Sequence, residues 1–124
     1  MAKTINIQPV NSVIFVSGGG KVDVPVDHLD DTKSPVAASR DCLIICVNPE
    51  LDGPTALTIG RASEIDPGYS PSFVGPLETR TGHIIIDQVD QHVVHDQVVD
   101  STLVTITAWF SHPRWPEQVF IGID

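Results

Sequence analysis

The sequence predicts a single all-β domain spanning residues 1–124, an antiparallel β-sandwich or flattened barrel of about eight or nine short strands. Three observations predict it. The stretch Gly82–Phe110 reads GHIIIDQVDQHVVHDQVVDSTLVTITAWF, in which Ile, Val and Thr dominate and proline, lysine and arginine are absent. β-Branched side chains lose rotamer freedom in a helix and pack well on a pleated surface, so this stretch is read as three strands. Elsewhere, clusters of Gly, Pro, Asp and Asn recur between short apolar runs, and no segment carries a convincing helical period.

The three strands of the apolar stretch fall at about His83–Asp87, Gln91–Val99 and Thr102–Phe110, with Asp100-Ser101 as the turn between the last two. They form the expected central meander. Before them, Thr4–Gln8 alternates, Pro9 and Asn11 interrupt, and Ser12–Ser17 resumes. Gly18-Gly19-Gly20 then predicts a tight hairpin into Lys21–Val26, where Pro25 suggests a sheet edge. The run SGGGK is not a phosphate loop, since Phe15 stands where such a loop needs glycine. Residues 27–41 read as a connection, Cys42–Val47 as a strand buried on both faces, and Thr55–Gly60 as the next strand. Residues 61–81 hold Pro67, Pro71 and Pro76, a long excursion that excludes a central strand, and Val119–Ile123 closes the set.

Composition narrows the function. Sixteen acidic against seven basic residues give a formal charge of −9, and Arg114 is the only Lys or Arg after Arg80. Such a surface repels nucleic acid and anionic membranes and attracts a basic protein, so neither direct nucleic-acid binding nor membrane binding is expected. No apolar run is long enough to span a bilayer, and MAKTINIQPV lacks the apolar stretch of a secretory signal, so a cytoplasmic location is expected. Cys42 and Cys46 lie on one face of a strand, about 13 Å apart, too far for a disulfide, and read as buried reduced thiols.

No cofactor is expected. His83, His92 and His95 are the only histidines worth weighing as metal ligands, but residues three apart in a strand face opposite ways, which separates His92 from His95. Asp23, Asp27, Asp30 and Asp31 lack the central glycine of a calcium loop. No serine sits in a nucleophile elbow, and apolar surroundings make Cys42 and Cys46 inert.

Binding is the better reading. Asp27, Asp30, Asp31, Asp87, Asp90, Asp96 and Asp100 would supply charge, while Tyr69 and Phe73 on the proline-stiffened excursion and the Arg114-Trp115 pair would supply anchors. The first expectation is thus a non-enzymatic acidic protein of inhibitor or immunity type that covers a basic partner. Two alternatives stand beside it: a homo-oligomeric structural subunit joined through its edge strands, and a small-ligand or metal-dependent β-sandwich enzyme.

The arrangement also resembles a known family. In Gly75–Trp109 an apolar pair, Pro76 and Leu77, is followed by Thr79, a strand that opens with Gly82 and isoleucines, a further strand, and an aliphatic strand ending near Trp109. With the opening strand, the glycine turn and CLIICV, this layout is similar to the competence protein J type of small acidic inhibitors, which bind and silence a DNA-degrading nuclease. The resemblance implies an inhibitor whose acidic surface mimics nucleic acid, and it carries over no site residue.

Overall fold

Strands form where β-branched and aliphatic residues alternate with polar ones, and they sort into two layers by the faces they bury. The computed structural model of the chain describes residues 2–30 and 33–124. Among these, ten strands form: β1 (Lys3–Ile7), β2 (Val13–Ser17), β3 (Val36–Ala38), β4 (Cys42–Cys46), β5 (Thr55–Gly60), β6 (Phe73–Glu78), β7 (His83–Gln88), β8 (Val93–Val98), β9 (Leu103–Phe110) and β10 (Gln118–Ile123), with one α-helical turn, α1 (Ala62–Ile65), and three 3-10 turns. The first sheet has the order β1-β5-β10-β9-β6 and the second β3-β4-β2-β7-β8. They are two separate sheets rather than a closed barrel, and every pair is antiparallel except β5 with β10.

Alternation builds the core. Leu57 and Ile59 of β5, Ile106 of β9 and Ile121 of β10 meet Ile14 and Val16 of β2, Leu43 and Ile45 of β4, and Ile84 and Ile86 of β7 in one buried cluster. Each such side chain stabilises the fold by about 1.5–3 kcal/mol through area removed from water.

The expected meander is divided between the layers. β7 and β8 are neighbours in the second sheet, but β9 lies in the first, between β10 and β6. Asp100-Ser101 is therefore an inter-sheet crossover and not a hairpin turn. It is held by buried Thr79, whose hydroxyl donates to the Ser101 carbonyl (2.5 Å) and whose N–H donates to the Thr102 carbonyl (2.9 Å).

Lys21–Val26 is not a strand. Both sides of β2 are taken, by β4 and β7, which leaves no place for a hairpin partner after the glycines. Gly19 and Gly20 do take positive φ (80° and 71°), but they lead the chain away into a connection. Two strands lie where the sequence suggested only connections. β3 pairs with β4 over three residues, and β6, which contains Pro76, is the edge strand that a proline tolerates.

Candidate functional site

The second sheet has an outer face whose two halves differ. Because Ile84 and Ile86 point into the core, His83, Ile85 and Asp87 of β7 point out, and Val13, Phe15 and Ser17 of β2 do likewise. The register places Val98 opposite His83, Asp96 opposite Ile85, and Val93 opposite Asp87. A bulge between Ile86 and Asp87 turns the extra residue, Val94, back against the core. One cross-strand row therefore runs Ala37, Ile44, Phe15, Asp87, Val93.

The β3–β4 half of this face is covered. Cys42, Ile44 and Cys46 belong to the outward set yet are buried. The connection that follows β2 is tied to this half: Asp23 N–H donates to Asp41 Oδ1 (3.0 Å), and Ser39 Oγ donates to the Asp23 carbonyl (2.5 Å). The β2–β7–β8 half is open. Phe15, Ile85 and Asp87 are half-buried there, and Val93 and Val98 are 50% and 71% exposed.

Charge on this face is negative. Burial pushes the Cys42 thiol up to about 12, and the carboxylates of Asp41, Asp87 and Asp23 add to the rise, so three acids act on one point. The Cys42 thiol stays protonated, as its apolar surroundings suggested. Asp87 is itself raised above the ordinary carboxylate range by partial burial. His83 Nδ1 lies 2.8 Å from Asp96 Oδ1, which fixes that carboxylate on the face.

The remaining residues named from the sequence do not share one surface. Asp90 and Asp100 flank β8 at its two ends, Asp90 accepting the His92 N–H within the β7–β8 turn (3.2 Å). Asp27 lies in a short helical turn, Val26–His28, that contacts β3, and Asp30 pairs with Lys33 (3.9 Å). Asp31 falls outside the described residues. Tyr69 is on the opposite side of the sandwich. Its carbonyl accepts the indole N–H of Trp109 (2.9 Å), which projects from the outer face of the first sheet, and Ala62 packs on the same face over Gly122. Residues 61–72 thus lie across the first sheet. Phe73 is half-buried against the core. Arg114 stacks over half-buried Trp115 (5.4 Å) at the end of the sandwich, where the Pro116 carbonyl accepts the Asn48 N–H (2.9 Å). Trp115 has a left-handed φ of 55°.

Nor do the histidines converge. His83 faces outward, His92 is in the turn, and His95 faces inward with its Nε2 3.0 Å from Gln97 Oε1. Among the described residues no group of three or more His, Cys, Asp or Glu is placed to hold a metal ion.

The apolar members of the open face, Phe15, Ile85, Val93 and Val98, were not picked out from the sequence. The signal was present in β8, where Val93 and Val98 point out and His95 and Gln97 point in, an inversion of the usual core pattern.

No protein-family model matches the sequence, and no curated protein matches it. Among solved structures the chain is similar to the crystal structure of ComJ, inhibitor of the DNA degrading activity of NucA, from Bacillus subtilis, with a TM-score of 0.67, 13% identity, and coverage of 99% of this chain and 93% of that one. The competence protein J layout read from the sequence is thus the layout of the fold, a two-sheet β-sandwich like that of ComJ.

Proposed function

We propose that the chain is a binding protein of inhibitor type that covers a basic protein through the open half of the second sheet's outer face. The observation that carries this reading is the juxtaposition there of Asp87 and Asp96 with Phe15, Ile85, Val93 and Val98, on strands without a single lysine or arginine. Carboxylates steer a basic partner and select against acidic ones, while the apolar side chains give it a surface to desolvate and so set the off-rate. ComJ inhibits a DNA-degrading enzyme. A surface that binds phosphates is basic, and the carboxylates of Asp87 and Asp96 offer it negative charge in place of phosphates, so a nuclease is the partner we favour. A cytoplasmic place of action remains part of the proposal.

The test is titration with basic DNA-degrading nucleases, NucA first, with DNA degradation and complex mass both read at low and high salt. A one-to-one complex that weakens with salt and is lost in Asp87→Asn/Asp96→Asn is the expected result. A homo-oligomer of fixed mass at both salts, indifferent to those substitutions, would instead support the structural-subunit reading.

A further inference from the structure

Four strands border the two sheets, and three are protected against pairing with another chain. β1 carries Lys3, β3 is only three residues long, and β6 carries Pro76. β8 has six residues and neither proline nor lysine, and its bulge lies at the Val93 end.

Its main-chain groups divide by parity. The Val99 N–H donates to the Gly82 carbonyl (2.9 Å). Alternation therefore directs the N–H and C=O groups of His95 and Gln97 to β7, and those of Asp96 and Val98 to the free edge. Beneath that edge the sheets stand apart. Cavities of about 180 and 370 Å³ adjoin along β8, sharing Arg61, Gln97 and Ile123. Ile59 lines the first and Val104 the second, and His95, whose buried Nδ1 has no hydrogen-bond partner, stands on the β8 side.

We propose that β8 accepts an extended segment of the partner, paired main chain to main chain, in which lysine or arginine alternates with aliphatic residues. Such a segment presents its cations to Asp96 on the outer face, between Asp90 and Asp100, and its aliphatic side chains to the groove floored by Ile59, Ile123 and Val104. Charge decides against a second copy of the chain as occupant. Self-pairing would bring Asp90, Asp96 and Asp100 of two copies together, on molecules that each carry −9. The inference rests on the acidic-face reading above and adds its binding mode.

The probe is a blocked heptapeptide of alternating lysine and valine, titrated into the whole chain with amide hydrogen exchange followed by NMR. Slowed exchange at Asp96 and Val98 in the complex is expected. Val98→Pro removes one outward donor without touching a bond to β7, and should weaken peptide binding by about tenfold while the free protein melts near the parent temperature. Unchanged exchange at both amides in the wild-type complex would overturn strand addition whether or not Val98→Pro folds. If Asp96→Asn nevertheless weakens binding, face docking survives without it. If the peptide does not bind, strand addition falls and the acidic face is judged by the nuclease titration alone. A wild-type mass that is doubled, and single in Val98→Pro, would mean that a second copy holds the edge and would also overturn the proposal.

Discussion

Asp87 stands between Phe15 and Val93 in a row of apolar side chains, and its carboxyl is raised by burial. Keeping that carboxylate ionised is a net cost to folding, since the burial that raises it outweighs the backbone hydrogen bond that lowers it. Asp87→Asn should therefore raise the melting temperature at neutral pH while weakening the basic partner. The gain should vanish in acid, where the native wild type takes up its proton first. Cys42 shows the alkaline counterpart. Its native value of about 12 lies above the 9.0 of an unperturbed thiol. Between those values the native state holds a proton that the unfolded state has lost, so stability falls as pH rises through that window. Denaturant midpoints of Cys42→Ala should decline less there than the parent's. Thr55 is wholly buried with an unpartnered hydroxyl. Its isostere in Thr55→Val should add about 1 kcal/mol by chemical denaturation, since the desolvation cost of the hydroxyl disappears.

At the scale of elements, glycine packing joins the layers. Gly18, where β2 leaves the second sheet, donates its N–H to the Asp41 carbonyl (3.1 Å), and a Cβ there would collide with the carbonyl of Glu78 at the end of β6. Gly18→Ala should cost about 3 kcal/mol in denaturant unfolding, because the clash is with backbone that cannot rotate away. The same junction explains what the sequence left hidden. Eight of the ten strands were legible from alternation or an apolar run, whereas β3 and β6 were hidden in stretches read as connections and Lys21–Val26 alternates without forming a strand. Which strand pairs with which was not legible, because the Gly18-Gly19-Gly20 turn and the Asp100-Ser101 crossover look alike as sequence. Short turn signals say that the chain reverses, and tertiary packing decides in which layer it lands.

For the molecule as a whole, the charge of −9 means self-repulsion in the folded state. Moderate sodium chloride should raise the melting temperature of the free protein, and calorimetry across a salt series would check it. The acidic character of the candidate site was legible in the scarcity of bases after Arg80. Its location was not. Asp87 and Asp96 stood among seven aspartates read as one source of charge, with Tyr69 and Trp115 joined to them by residue type alone; the sandwich puts Asp87 and Asp96 on one face and sends Tyr69 to the opposite face and Trp115 to one end. No sequence pattern reports which of two faces a connection will cover.

β10 is inserted between β5 and β9, and it is the last of the ten strands in the sequence. During synthesis, then, the first sheet is left with a gap at its centre until residues 118–123 clear the ribosome. Until that moment β5 and β9 each present an unpaired rim beside exposed isoleucines and leucines, and nascent chains crowded on one message would meet along those rims. A chain terminated before Val119 would be not a slightly shortened sandwich but one whose first sheet is split into β1-β5 and β9-β6 with no strand between them. The interior of the mature protein is, in biosynthetic time, its final edge.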